Sequence, residues 1–170
     1  LEYRHINDRG CARLAAIHHT EEDAAALQKT LAGSLEHVDS LLSFQEYDVA
    51  FHNALAKASH NTLASMINDV IVRLNTDVFM ETVQTYPPER LREINMRIYQ
   101  THYTIMEAVL AHDPDGADQA VTAMVQLFQD IVHGTEADLT RGGGLPFRQP
   151  SSFLHTGGGP LPGAPLSAWS

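Results

Sequence analysis

The sequence predicts an all-α protein, an antiparallel bundle of about six helices. Apolar residues recur at steps of three and four over several long stretches, which is typical of amphipathic helices. No stretch alternates with period two for long enough to form a convincing strand. The helical stretches are separated by short breaks such as "YPPER" (86–90) and "HDPDG" (112–116). Short connections favour antiparallel neighbours, which gives the bundle.

The first three helices follow from their end signals. Residues 1–18 form the first helix, with "CARLAAI" as its apolar run. Thr20, followed by three acidic residues, is a hydroxyl cap with negative charge in the first turn and begins the second helix. A polar patch at 37–40 turns the chain, and the third helix covers about 41–59.

The last three helices are predicted by caps, prolines and apolar stripes that we expect to face the core. Asn61 caps the fourth helix, and the two prolines of "YPPER" suit the first turn of the fifth. The stripe of the fourth helix comprises Leu63, Met66, Ile67, Val70, Ile71, Leu74 and Val78. The stripe of the fifth comprises Leu91, Ile94, Ile98, Ile105 and Val109. The stripe of the sixth comprises Ala117, Ala120, Val121, Met124, Val125, Phe128 and Ile131.

Composition limits the function classes. The chain has 170 residues, 44% of them apolar, which is enough for the core of one domain. A formal net charge of −10 repels phosphate backbones and anionic membranes, so this segment should not bind nucleic acid by itself. The single cysteine excludes a disulfide framework and fits a cytoplasmic protein. The sequence has no run of eighteen apolar residues, so no membrane span is predicted.

One domain boundary is predicted within the chain, between residues 139 and 140. Residues 1–139 form the helical domain, and the Gly-, Pro- and Ser-rich residues 140–170 form a disordered tail that cannot offset its ordering entropy. The chain begins without Met and within a helix, so we expect an N-terminal part to be missing.

Three polar residues are predicted to face the core. Phe44, Asp48, Phe51 and His52 follow the spacing of one face of the third helix, which places Asp48 and His52 one turn apart on the inner side. His102 lies on the apolar stripe of the fifth helix. Burying an unpaired carboxylate is costly, so the three groups call for a shared explanation.

A bound divalent metal would explain these groups, because carboxylate and neutral imidazole suit Zn, Ni or Mn. The imidazole of His102, on a facing helix, would be the third protein ligand and would leave positions for water or ligand oxygens. The alternative is a buried salt bridge between Asp48 and one of the histidines, since D-x-x-x-H pairs are common on helices.

Three sequence blocks resemble a known family. "YDVAFHNALAKASHN" (47–61), "QTHYTIMEAVLAHDPDGADQAV" (100–121) and the opening "LEYRHINDRGCARLAAIHHTEEDAAAL" are similar to the FCD domain, the ligand-sensing C-terminal domain of FadR-type GntR transcriptional regulators. The resemblance covers about residues 1–138. It implies an all-α domain that dimerises and holds a small effector, commonly an organic acid. It also implies an N-terminal winged helix-turn-helix, which we expect to be the missing part and through which alone the homodimer would contact DNA.

The family's metal motif of one Asp and three His matches this chain in part. Asp48, His52 and His102 fall on the first three positions, and Met124 falls on the fourth. Methionine is a poor ligand for hard divalent ions. Three interpretations stay open. The metal is held by three ligands and water; the metal is lost and the effector binds directly; or another residue of the sixth helix, Gln126 or His133, substitutes, against the helical phase.

The carboxylate effector also needs a cationic partner. Arg73, which we expect near the end of the inward stripe of the fourth helix, is the first candidate, and Arg97 is a weaker one. Met124 would contact the effector if it does not contact a metal. The sequence therefore predicts an effector-sensing domain without enzymatic activity.

Two other function classes compete with this prediction. A metal-dependent, hydrolase-like helical enzyme is suggested by His112-Asp113, but no general base or activated nucleophile accompanies this pair. A purely structural dimerisation module would leave the three inward polar groups unexplained.

Overall fold

A computed structural model describes residues 2–133, which form six α-helices and no strand in that range. The prediction of an all-α fold is confirmed. The helices are α1 (Glu2–His18), α2 (Glu21–Glu36), α3 (Leu41–Ala58), α4 (Thr62–Val83), α5 (Pro88–Leu110) and α6 (Pro114–Val132). The predicted tail at 140–170 lies outside the described residues. Between residues 2 and 133, none of the helices combines the length and apolarity needed to cross a membrane.

The helix starts are determined by local hydrogen bonds that the sequence predicts. The Thr20 hydroxyl accepts from the Asp23 backbone N–H, and the Asp23 carboxylate accepts from the Thr20 N–H, which completes a capping box at α2. The Asn61 side chain accepts from the Ala64 N–H at α4. α5 and α6 each begin with proline. Proline lacks a backbone N–H, but N–H groups in the first turn of a helix have no acceptor within the helix, so nothing is lost there.

α5 lies at the centre of the bundle and packs against α1, α2, α3 and α6. Its predicted stripe faces the core, with Ile94, Ile105 and Val109 fully buried. The predicted stripe of α6 is also turned inward. α1 packs against α6, α3 and α4, and Arg4 in its first turn contacts His52 on α3 and Phe128 on α6.

The orientation predicted for α4 is wrong. Five members of its stripe are 43–67% exposed, and we call them the outer stripe: Leu63, Met66, Val70, Leu74 and Val78. The buried apolar residues of α4 are instead Val72, Phe79 and Val83, which form a second, sparser stripe. Asn68 belongs to this inner side and donates a hydrogen bond to the Asn53 side chain on α3. The helix has two apolar faces, and the less populated one is turned to the bundle.

Candidate metal and effector site

Asp48 and His52 on α3 and His102 on α5 converge as the sequence predicts. Their side chains are 15%, 2% and 1% exposed. The Nε2 atoms of both histidines face the Asp48 carboxylate, at 4.0 Å for His52 and 3.7 Å for His102. The three candidate ligand atoms all lie within 4.8 Å of one another. The helical spacing that placed Asp48 and His52 one turn apart therefore produces a three-sided cluster with His102.

Aromatic packing holds the two imidazole rings in place. The His102 ring stacks on Phe51, with ring centroids 4.4 Å apart, and meets the His52 ring edge-on at 4.9 Å. Nδ1 of His102 is buried and has no hydrogen-bond partner among the described residues. The Nε2 atom of His102 is thereby directed at Asp48 by packing, without a hydrogen bond on the far side of the ring.

Arg4 of α1 is a fourth member of the site, and sequence reasoning missed it. Its Nη2 lies 3.0 Å from His52 Nε2, and its Nε donates to Asp8 at 3.0 Å. Its guanidinium carbon lies 4.9 Å from the centre of the Phe128 ring on α6. Only 7% of the residue is exposed. A guanidinium has donors only, so His52 Nε2 accepts this hydrogen bond.

A sequence signal for Arg4 was present. Arg4, Asp8, Cys11, Ala12 and Ala15 repeat on α1 the i, i+4, i+7, i+8, i+11 spacing that identified the inner face of α3. All five are buried. An arginine and an aspartate on the apolar side of α1 indicate a buried charge pair by the same reasoning that was applied to Asp48 and His52.

The protonation states suit metal ligation at neutral pH. Burial raises the pKa of Asp48 to about 6, although the Arg4 charge opposes that rise. Burial, with the Arg4 charge adding to it, lowers the pKa of His102 to about 3 and that of His52 well below its usual range. At pH 7 the carboxylate is therefore largely ionised and both imidazoles are neutral, which are the forms that bind metal ions.

The donor set fits a divalent metal in type and nearly in spacing. Two ligands about 2.1 Å from one zinc ion can be at most about 4.2 Å apart. The distances from Asp48 to His52 and to His102 are within that limit. Met124, at the position where the family resemblance expects a fourth ligand, is 4% exposed and offers only a thioether. Asp48, His52 and His102 could therefore hold an ion as three ligands, after a small contraction.

A cavity of about 30 Å³ opens beside these groups, and Arg4, Asp48, His102 and Met124 all contribute to its wall. Its other polar lining residues are Gln45, Asn75, Thr76 and Thr101. This volume accommodates one or two water molecules, or an ion with a water.

The other sequence-predicted site residues lie elsewhere. Arg73 is on the exposed side of α4, so the inward orientation expected for it is wrong. Arg97 is half-buried on α5 and is not among the cavity-lining residues. Gln126 is exposed and donates to Asp130, and exposed His133 donates to the Gln129 carbonyl. Neither of these two α6 residues lines the cavity, in agreement with the helical phase.

The residues behind the enzyme alternative have structural roles. His112 donates from Nδ1 to the Ala16 carbonyl, and its ring stacks on His19. Asp113 caps α6 by accepting from the Gly116 N–H. The His-Asp pair thus ties the end of α1 to the α5–α6 connection and starts the last helix.

The fold and the convergent site agree with the family to which the motifs pointed. The FCD domain model matches residues 1–127, and the chain belongs to this family. It is 33% identical over 109 residues to the HTH-type transcriptional repressor NanR of Escherichia coli strain K12 and to those of Shigella flexneri and Salmonella schwarzengrund. The matched segment covers 64% of this chain and 40% of each relative, so the chain spans less than half of their length.

Proposed function

We propose that this chain is the effector-sensing domain of a GntR-family bacterial transcriptional regulator, and that it binds a small organic acid with the help of a divalent metal. Membership of the FCD family and the similarity to repressors support the regulatory role. The observation that carries the proposal is the convergence of Asp48, His52, His102 and Arg4 in one buried cluster, of which Asp48, His102 and Arg4 also line the cavity.

The chemistry of the site favours a carboxylate. Zn, Ni or Mn held by Asp48, His52 and His102 would offer open coordination positions to carboxylate oxygens. Arg4 provides a guanidinium, whose paired N–H donors match the two oxygens of a carboxylate. Arg4 thereby takes the part that sequence reasoning gave to Arg73. Met124, on the cavity wall, would contact the apolar part of the effector.

The outer stripe of α4 would form the dimer contact. Five large apolar side chains on one face of a 22-residue helix, about 33 Å long, are more than scattered surface residues. A two-fold contact between two copies would bury each stripe against itself, as isologous dimers do. Arg73 is adjacent to Leu74 and would border this interface.

Regulation would follow from a population shift. An effector that binds one arrangement of the dimer more tightly increases its share and so changes the DNA affinity of attached DNA-binding domains. The acidic FCD domain itself repels DNA, so a winged helix-turn-helix domain would supply the operator contact in the cytoplasm. No catalytic step is needed, and the residues of the hydrolase alternative are engaged in capping.

Metal content tests the central part of the proposal. Purified, untagged protein is dialysed against Zn, Ni or Mn, and bound metal is measured by mass spectrometry. We expect about one ion per chain in the wild type, loss of binding in His102→Ala, and retention in the control His133→Ala, which removes an exposed histidine. Equal metal content in wild type and His102→Ala would contradict the site.

Effector binding is tested on the same proteins. Small mono- and dicarboxylates are added to the metal-loaded protein, and the thermal midpoint is recorded. A carboxylate that binds the site raises the midpoint in the wild type but not in Arg4→Gln. Equal stabilisation of both proteins would show that Arg4 does not take part in binding the effector.

A further inference from the structure

The His52 Nε2 atom is shared by two features of the site. It is the ligand atom of His52 in the proposed metal site, facing Asp48 at 4.0 Å. It also accepts the hydrogen bond from Arg4 Nη2, at 3.0 Å. A neutral imidazole has one unprotonated ring nitrogen with a single in-plane lone pair. That lone pair can accept from Arg4 or bind a metal ion, but it cannot do both.

The charge of Arg4 adds to this conflict. The guanidinium is permanently positive and lies within hydrogen-bond distance of a candidate ligand, in a buried environment where charges interact strongly. A divalent cation bound at Nε2 would repel it. The metal ion that competes with Arg4 would also have one imidazole fewer than in the family's motif, because Met124 offers only a thioether.

We infer that Arg4 and a divalent metal ion bind His52 Nε2 in alternation, so that metal binding displaces the Arg4 guanidinium from His52. This inference rests on the metal site of the proposed function and adds a regulatory element to it. Asp8 and the Phe128 ring hold the rest of the guanidinium, so displacement would alter a buried contact between α1 and α6. Metal occupancy would thereby change the packing of the first turn of α1.

The test compares the Co²⁺ affinity of the wild type with that of variants that lack the Arg4 guanidinium. Co²⁺ is titrated into each protein and followed by visible absorption, and Zn²⁺ competition then measures the affinity for zinc. Arg4→Met keeps an unbranched side chain over Phe128 and removes the donors and the charge. Because this variant leaves the buried Asp8 unpaired, Arg4→Met/Asp8→Asn is measured as well. Arg13→Met is the matched control on α1, since Arg13 pairs with Asp115 at the surface.

The affinity should rise when Arg4 is removed. Loss of one charge-assisted hydrogen bond predicts Co²⁺ and Zn²⁺ binding about 10- to 100-fold tighter in both Arg4 variants than in the wild type. Arg13→Met should stay within about twofold of the wild type. A wild type that binds no metal beside Arg4 variants that do would support the inference in its strongest form.

Two results would overturn it, and they have different consequences. If the wild type binds metal and both folded Arg4 variants bind equally or more weakly, Arg4 is not a competitor, and the proposed metal site stands. If neither the wild type nor either Arg4 variant binds metal, the metal site of the proposed function fails together with this inference.

Discussion

α4 and α5 have nearly the same length, and both carry apolar residues at steps of three and four. The stripe of α5 faces the core, whereas the outer stripe of α4 faces outward. The stripe of α5 lies against four other helices and forms the centre of the core. The outer stripe of α4 faces away from the bundle, while a sparser set of residues makes the internal contacts. An apolar stripe indicates that a face is buried in some contact, but it does not identify the partner.

The largest effect on stability is expected from a substitution in the buried stripe of α5. Ile105→Ala should cost about 2–5 kcal/mol of unfolding free energy, because its side chain is fully buried and would leave a cavity. Leu74→Ala in α4 removes a side chain that is 62% exposed and should change the stability by no more than about 0.5 kcal/mol in dilute protein. Urea unfolding at low protein concentration measures both. Comparable losses in the two variants would mean that the outer stripe is part of the core.

The second effect, on dimerisation, tests whether the outer stripe of α4 is a contact between two copies of the chain. Leu74→Glu places a charge in the proposed two-fold contact and should weaken dimerisation at least about 100-fold, or about 2.7 kcal/mol. Sedimentation equilibrium over a concentration series measures the dissociation constant. Lys29→Glu, an exposed change on α2, is the control. A Leu74→Glu protein that stays as dimeric as the control would remove α4 from the interface.

The third effect concerns the imidazole on the α5 stripe. The folded protein holds His102 neutral, with a pKa of about 3, whereas an unfolded histidine takes up a proton near pH 6.5. Its stabilising contribution is therefore complete above pH 6.5 and is lost as the pH falls towards 3. Between pH 7 and pH 5 this amounts to about 2 kcal/mol. Asp48, with its raised pKa, acts in the opposite direction between about pH 4 and 6.

Metal-free wild type and His102→Gln are compared by urea unfolding at pH 7 and pH 5. The wild type should lose about 2 kcal/mol more than the variant over this interval, and the exposed control His133→Gln should follow the wild type. Parallel losses in all three proteins would show that His102 is not held neutral by burial.

The smallest effect is at the start of α4. Asn61→Ala removes the acceptor for the Ala64 N–H and should cost about 1 kcal/mol, while metal affinity stays unchanged because the cap lies outside the cavity. Asn61→Ser keeps an acceptor and should restore most of the loss. A change in metal affinity without a change in stability would assign Asn61 to the site.

Most of the candidate site was predictable from one helix at a time. Asp48 and His52 are neighbours by helical spacing alone, and His102 follows from the stripe of α5. The inward position of Arg4 was predictable from the spacing on α1 and was missed, whereas its contact with His52 spans 48 positions and could not be predicted from one helix. Arg73 was misplaced because it was assigned to the inside together with the stripe of α4.

Local chemistry by itself determined the number of helices, their caps and the phase of each apolar face, because these depend on residues within a few positions of one another. It also determined that three polar groups share the inner faces of α3 and α5. Only the tertiary structure decided which face of α4 is turned inward and which cation meets His52. Those outcomes depend on how the helices share a limited interior, in which the sparser face of α4 is buried and its outer stripe stays exposed.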